Sequence, residues 1–270
     1  MTSAGITSGA TTARTTAGTQ ARTTARTTAR TTARLIGLVG LGIAAMFSSG
    51  CDIEAQSRSA DGTFDRTLRV SGPVNVNVVS RSGRIDIRVG TGDSVHVVGR
   101  IRAYGSFSAF TGSYTPEEQV KSIEATPPIE QAGSEISVGD LRDLAFGRNV
   151  SISYEVTVPA ETRLRTSSRS GDQMVELVRG PVVASSRSGR IQIARVAGDV
   201  EIETRSGEVD VRLPPVGGAA LDVETRSGTI DSEVSSEVTR GRPGRFLRSI
   251  VGHGDRRVEV RTRSGSVRIR

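Results

Sequence analysis

The motif Ser/Thr-Arg-Ser-Gly occurs six times in this chain, each time beside alternating Val and Ile, and its spacing constrains the fold more than any other feature. Three of its glycines, Gly171, Gly189 and Gly207, are eighteen residues apart, and Gly180 and Gly198 lie midway between them. The unit is therefore about nine residues, a strand of five or six followed by a turn. A fixed period of this kind is typical of stacked units that share one core.

The residues after each repeat glycine set the register of a strand. Their second and fourth positions are apolar, as in Ile191 and Ile193 or Val209 and Val211, whereas the first and third are mostly polar. This alternation is the period of a half-buried strand. We expect the apolar residues to face inward, because a slip of one residue would turn charges into the core.

Eighteen residues fit one coil of a flattened, two-faced β-solenoid that resembles a parallel β-helix. An antiparallel meander or sandwich is the alternative, because nine residues also fit one arm of a hairpin. The turns alternate in kind, since RSG recurs every eighteen residues with VRG and VAG between. Two distinct corners favour an all-β solenoid, with the glycine of each RSG turn supplying a positive φ. The 37-residue step from Gly228 to Gly265 has room for a degenerate copy and a loop.

The front of the domain is less regular than the repeat. Residues 64–105 predict four short strands, and residues 150–159 predict an alternating strand that leads into the coils. Residues 115–128 predict one short helix in an insertion, with Thr115 as its N-cap and Pro116 in its first turn. We expect a single domain over residues 64–270.

The first fifty residues have the composition of an export signal. Residues 11–34 are low in complexity and basic, and residues 35–50 are apolar and uncharged. That apolar run is shorter than the roughly 20 residues of a membrane span, so a signal peptide is the better interpretation. Residues 1–50 are thus predicted to be an n-region with a signal peptide, and residues 51–63 a tether.

Cys51 is the only cysteine of the chain and follows the apolar run directly. Ser49 and Gly50 before it resemble a bacterial lipobox, although Ser48 stands where a Leu is common. The alternative is an ordinary signal peptide with an incidental Cys. We predict that Cys51 is lipidated, which makes the protein a membrane-anchored lipoprotein of a bacterial cell envelope, on the periplasmic or the cell-surface side.

The net charge of +7 comes mainly from the N-terminus, where residues 1–50 hold five arginines and no acid. Without those five, 31 basic residues face 29 acidic ones, so we expect no nucleic-acid partner. His96 and His253 are isolated and have no cysteine partner in the domain, so we expect no metal. No glycine-rich motif stands in a nucleotide-binding context, and we expect no cofactor.

The strand "VSISYEVTVPAETRL" (150–164), followed by coils such as "VEIETRSGEVDV" (200–211), resembles a bacterial putative-adhesin family, a domain of unknown function. The earlier "RSGRIDIRV" (81–89) fits the leading strands of that family. The resemblance covers residues 64–270. It implies an exported β-helical or β-solenoid head at the cell envelope, and it carries no catalytic residues.

Three functions are compatible with this sequence. The first is a non-enzymatic scaffold or adhesion surface of unknown ligand, whose partner is a protein or an anionic envelope polysaccharide. The second is a carbohydrate-active β-helix enzyme, for which Asp210 and Asp231 are candidates because they share a repeat position. The third is an accessory or sensor subunit of an envelope-stress system. The repeat favours the first function.

Arg169, Arg187, Arg205 and Arg226 each precede a Ser-Gly turn. In a solenoid we expect them to stack in successive coils about 4.8 Å apart. Such a column is a candidate site for extended anions, with relief of its repulsion from Glu203, Glu208 and Glu224. The alternative is that arginine is simply a tolerated solvated residue, since Lys121 is the only lysine of the chain.

Overall fold

The structure of the protein is a computed structural model that describes residues 59–105, 114–139, 149–234, 238–241 and 244–270. The predicted signal peptide, the predicted lipobox and most of the predicted tether lie outside these residues. The elements are β1 (Ser59–Arg69), β2 (Asn75–Ser80), β3 (Ile85–Val89), β4 (Ser94–Tyr104), α1 (Pro116–Ala125), β5 (Ile129–Ala132), β6 (Glu135–Val138), β7 (Val150–Val158), β8 (Arg163–Ser168), β9 (Gln173–Glu176), β10 (Val182–Ser188), β11 (Ile191–Ala194), β12 (Val200–Ser206), β13 (Val209–Arg212), β14 (Ala219–Ser227), β15 (Ile230–Ser232), β16 (Val238–Gly241), β17 (Gly244–Val251), β18 (Arg257–Ser264) and β19 (Val267–Ile269).

The strands form two sheets. Sheet A has the order β1-β4-β7-β3-β9-β11-β13-β19-β15, and sheet B has the order β16-β17-β14-β18-β12-β10-β8-β2-β6-β5. Six coils run through both sheets, each with one strand in sheet B and the next in sheet A, and neighbouring coils pair in parallel. The predicted β-solenoid is therefore confirmed, and antiparallel pairs occur at its ends.

The core lies between the two sheets and is built from Val and Ile. Ile191, Ile193, Val209 and Val211 are all buried, as the register predicts. In-register pairs such as Ile193 with Val211 stack one β-branched aliphatic side chain on another from coil to coil. Few large rings are needed, because each coil adds one thin layer of branched side chains to the layer below.

The coils do not stack in sequence order. Strands β18 and β19, which end the chain, lie between β12–β13 and β14–β15, with Val258 in register with both Val200 and Leu221. The prediction of a degenerate copy of the repeat between Gly228 and Gly265 is wrong. The described part of that stretch contains β16 and β17, an antiparallel hairpin that pairs with the outer edge of β14.

The first coil, β2 and β3, is also separated from its neighbour in sequence. Ser80 is in register with Ser168, and β4, α1, β5, β6 and β7 lie between them along the chain. Strand β1 begins at Ser59, before the predicted domain boundary at residue 64, and pairs there with Tyr104 of β4. Main-chain pairing defines this start, and the weakly apolar sequence there did not predict it.

Helix α1 forms as predicted and covers the edge strand β1. Thr115 Oγ1 accepts a hydrogen bond from the Glu118 amide at 3.2 Å, and the Glu118 carboxylate accepts one from the Thr115 amide at 2.9 Å. This reciprocal cap satisfies two amides at the helix start. Glu124 accepts a hydrogen bond from the Thr63 amide at 2.9 Å, so the helix also satisfies a donor on the open side of β1.

The repeat glycines are required for a reason other than the predicted one. Apart from Gly207, whose φ of 159° is nearly extended, none of the six has a positive φ. A Cβ on Gly171 would instead overlap the carbonyl oxygen of Gly83, and one on Gly189 would approach the carbonyl oxygen of Gly171. The glycines stack directly on one another, and only a residue without a Cβ permits that approach.

The other corner of the coil contains the left-handed residues. Leu177 has a φ of 66° and Arg195 a φ of 54°, and they are eighteen residues apart. This conformation costs a non-glycine residue about 1–2 kcal/mol. Cross-coil hydrogen bonds hold it, from the Leu177 amide to Ala194 at 3.0 Å and from the Arg195 amide to Arg212 at 2.9 Å.

Tyr154 is the largest fully buried side chain, and its hydroxyl has no hydrogen-bond partner among the described residues. Burial raises the pKa of this hydroxyl well above its ordinary value, because the phenolate would be desolvated. We expect Tyr154→Phe to raise the free energy of unfolding by about 1 kcal/mol, since an unpaired buried polar group is removed. Chemical denaturation measures this change.

Thr166→Val is the control for Tyr154→Phe, because it removes a buried hydroxyl that does have a partner. Thr166 Oγ1 donates to Gln173 Oε1 at 2.6 Å. Its loss is expected to lower stability by about 1 kcal/mol. A loss of stability in both variants would contradict the assignment of Tyr154 as an unsatisfied group.

Candidate functional site

The RSG corner of each coil is built so that its arginine points outward. In the first two coils, the Ser three positions before the glycine turns inward and closes the turn. Ser168 Oγ accepts from the Gly171 amide at 2.8 Å and donates to its carbonyl at 2.9 Å, and Ser80 bonds with Gly83 in the same way. The arginine directly follows this serine at the end of the strand, and the alternation of side chains therefore places it on the outer face.

Six arginines occupy this position, and we call them the arginine column. Their inward neighbours pair in register from coil to coil, so the arginines align as well. In spatial order the column is Arg81, Arg169, Arg187, Arg205, Arg263 and Arg226. The expectation that Arg205 and Arg226 belong to successive coils is wrong, because β18 places Arg263 between them.

All six arginines of the column are exposed, and none forms an ion pair with another described residue. A shallow groove of about 510 Å³ runs beside the column on sheet B, and its lining includes Ser185, Arg187, Arg205, Arg226 and Arg263. Within the described ranges, the column therefore presents guanidinium groups that have no ion-pair partner and can bind a ligand.

Of the three acidic residues expected near the column, two lie close to it and one does not. Glu203 and Glu224 line the groove, but neither is within ion-pair distance of a column arginine. Glu208 lies on the sheet A side, where it pairs with Arg190 Nη2 at 2.8 Å. The expectation that Glu208 relieves the column is wrong, because Glu208 follows the corner and directly precedes β13, which is in the opposite sheet.

The outer face of sheet A has a second groove of about 400 Å³, but its charges are largely paired with one another. Asp210 is 13% exposed and accepts from Arg270 Nη2 at 2.7 Å. Asp210 and Asp231 are not adjacent, because Arg268 of β19 lies in register between them and contacts Asp231 at 3.4 Å. The two carboxylates considered for glycoside chemistry are thus separated by a cation.

The other candidate residues carry no site of their own in the described part of the chain. His96 Nε2 is 2.7 Å from Asp65 Oδ1 on the outer face of sheet A. The described residues contain no cluster of His, Cys, Asp and Glu side chains that could hold a metal ion. No helix within the described ranges is both long enough and apolar enough to cross a membrane. Cys51 lies outside these ranges.

What the arginine column can do chemically is bind anions. Each guanidinium offers planar donors that match a carboxylate, phosphate or sulfate in a bidentate pair. Neighbouring strands are about 4.8 Å apart, so the six arginines span about 24 Å across the strands. The arrangement suits an extended ligand with repeated negative charges, or several small ligands.

Two members of the column were missed at the level of sequence, namely Arg81 and Arg263. Both stand in the same motif as the others, in "SRSG" and "TRSG", so the motif itself contained the signal. Sequence spacing obscured it, since Arg81 lies 88 residues before Arg169 and Arg263 lies 37 residues after Arg226.

Comparison with a family model and with one solved structure supports this fold. Residues 149–270 match the family model described as Toastrack DUF4097. The chain is similar to the crystal structure of a "putative cell adhesion protein" from Clostridium sporogenes ATCC 15579, with a TM-score of 0.51 and 15% identity over 77% of this chain and 99% of that one. A "putative adhesin" from Bacteroides fragilis NCTC 9343 has a TM-score of 0.27 and 9% identity, over 77% of this chain and 97% of that one. No curated protein matches the chain.

Proposed function

Because residues 149–270 match the family model described as Toastrack DUF4097, we propose that the protein is a non-enzymatic cell-envelope lipoprotein whose β-solenoid presents a binding surface. The surface is the arginine column, and the ligand is an anionic polysaccharide of the envelope. The predicted signal peptide and lipobox support the location. The family that the sequence resembles carries no catalytic residues, which supports a binding role.

The single observation that carries the proposal is the alignment of six exposed, unpaired arginines at identical corners. Like charges about 4 Å apart repel by about 1 kcal/mol in water. The coils stack nonetheless, because the buried Val and Ile layers supply the stability. An anionic ligand would remove this repulsion when it binds, so the repulsion between the arginines favours the binding of an anion.

The binding surface is tested with the triple variant Arg187→Gln, Arg205→Gln and Arg226→Gln. We expect it to bind polygalacturonate at least about threefold more weakly than the parent at low salt. An exposed ion pair contributes about 0.2–1 kcal/mol, and 1.4 kcal/mol corresponds to a factor of ten. Added salt is expected to weaken the parent's binding, because these charges are exposed. Isothermal titration calorimetry measures both effects.

The matched control is Arg163→Gln, Arg195→Gln and Arg257→Gln, which removes the same charge from exposed sites outside the column. Arg163 and Arg257 each begin a strand six residues before a column arginine, about 20 Å away along the extended chain. This control is expected to bind nearly as well as the parent. Equal binding by the column triple and the parent would refute the proposed surface.

The lipid anchor is tested by Cys51→Ala in the full chain. Without its thiol, residue 51 cannot carry a lipid, so we expect the protein to appear in the soluble envelope fraction or to keep its signal peptide. Membrane fractionation and the mass of the mature protein measure this outcome. A correctly cleaved Cys51→Ala protein that still sediments with membranes would contradict the lipoprotein assignment.

A further inference from the structure

The outer face of sheet B changes its charge halfway along the solenoid. The coils of β2, β8 and β10 each have three outward positions that lead up to and include the column arginine, which makes nine residues in all. Four of them are arginines and none is acidic, which gives +4. They are Asn77, Val79, Arg81, Arg165, Ser167, Arg169, Val183, Ser185 and Arg187. We call these nine residues the basic patch.

The same nine positions on β12, β18 and β14 have a different composition. Four arginines there face five acids, which gives −1. The residues are Glu201, Glu203, Arg205, Glu259, Arg261, Arg263, Asp222, Glu224 and Arg226. Arg261 forms an ion pair with Glu259, and Asp222 pairs with Arg248 of β17 at 3.3 Å. The column is continuous in geometry, but its second half is neutralised by its surroundings.

The difference persists on the other side of the corner. The first outward positions of sheet A beside the basic patch are Arg84, Asp172 and Arg190, with one net positive charge. Beside the second half of the column they are Glu208, Thr229 and Ser266, with one net negative charge. An approaching anion is therefore attracted to the first half of the column and not to the second.

From this asymmetry we infer that the anion site is the basic patch, centred on Arg81, Arg169 and Arg187, and not the column as a whole. The inference rests on the proposed function and makes its site specific. The groove reaches the patch at Ser167, Ser185 and Arg187, but most of its length follows the acidic half. Its shape alone would place the ligand elsewhere, and charge decides between the two locations.

The floor of the patch indicates the class of ligand. Ser167, Ser185 and Asn77 are half-buried and uncharged, with hydroxyl and amide groups that can bond to sugar hydroxyls. Val79 and Val183 lie beside them and offer a small apolar surface. The three corner arginines form a row about 10 Å long. We assign the ligand as a carboxylate-bearing polysaccharide that lies along the solenoid axis, with successive carboxylates on Arg81, Arg169 and Arg187.

The test compares two triple variants with equal charge changes in the same column. One is Arg81→Gln, Arg169→Gln and Arg187→Gln, and the other is Arg205→Gln, Arg226→Gln and Arg263→Gln. The probe is trigalacturonate, with its fully methyl-esterified form as the uncharged control. We expect the first triple to lose about tenfold or more in affinity and the second less than threefold, with unchanged melting temperatures.

The outcomes separate this inference from the proposed function. Equal losses in both triples would leave the anion-binding surface in place and overturn its assignment to the patch. A larger loss in the second triple would overturn the electrostatic argument. No loss in either triple, or no binding by the parent at low salt, would overturn the proposed function as well. Binding to phosphatidylglycerol vesicles with none to trigalacturonate would refute the ligand class.

Discussion

Ile193→Asp is expected to unfold the protein or to lower its free energy of unfolding by more than about 4 kcal/mol. Ile193 is 1% exposed and lies in β11 between Val175 of β9 and Val211 of β13. A carboxylate there would have no partner in a layer of aliphatic side chains, and the strand cannot turn it outward without moving its neighbours into the solvent. Thermal and urea denaturation measure the loss.

Two variants on the same strand separate the effect of the charge from other causes. Ile193→Val removes one methylene and is expected to cost about 0.5–1.5 kcal/mol through a small cavity. Gln192→Ala changes the neighbouring outward residue and is expected to stay within about 0.5 kcal/mol of the parent. If Ile193→Asp melts at the temperature of the parent, the register of the coils is wrong.

Gly171→Val is expected to be the second most damaging change, with a loss of about 3 kcal/mol or more. The new Cβ would overlap the carbonyl oxygen of Gly83, which belongs to the backbone of the next coil and has no rotamer by which to move away. Relief requires the two coils to separate at the corner, which breaks the hydrogen bond from the Ser170 amide to the Arg81 carbonyl. Urea denaturation measures the loss.

Ser170→Ala is the control for this variant, because it alters the adjacent residue of the same turn on its exposed side. It is expected to be nearly neutral. Gly171→Val with the stability of Ser170→Ala would show that the glycines do not stack. A positive φ is not the reason for the expected cost, since the backbone of Gly171 is not in the left-handed region.

Local sequence pattern was sufficient for the coil itself. The alternation around Ile191 and Val209 identified the inward face, and the two kinds of turn identified the two corners. The sequence also predicted the start of α1, because Thr115, Pro116 and Glu118 are residue types that are preferred at these positions of a helix start. Each of these features depends on residues that are neighbours along the chain.

The order of the coils could not be predicted from sequence, because the coils are nearly interchangeable. The TRSG corners of β12, β14 and β18 have the same inward Thr and the same outward Arg, so any two of them can pair in register. The hairpin of β16 and β17 decides the order of the coils. It pairs with one edge of β14, so that the following strand, β18, pairs with the other edge of β14. The charge asymmetry of sheet B likewise appears only once the order is known.

The position of the last coil has a consequence for how the molecule is made. Val258 pairs with Val200, 58 residues earlier, and with Leu221 on its other side. A chain that is still being synthesised or exported therefore lacks the middle of its solenoid, and β12 and β14 each expose a row of unpaired backbone groups. Folding therefore cannot proceed coil by coil from the N-terminus. In a solenoid whose coils stack in sequence order, loss of the residues after Arg256 would remove only the end coil. Here the same loss removes an inner coil. Residues 257–270 form this inner coil, so a chain without them cannot close the middle of the solenoid.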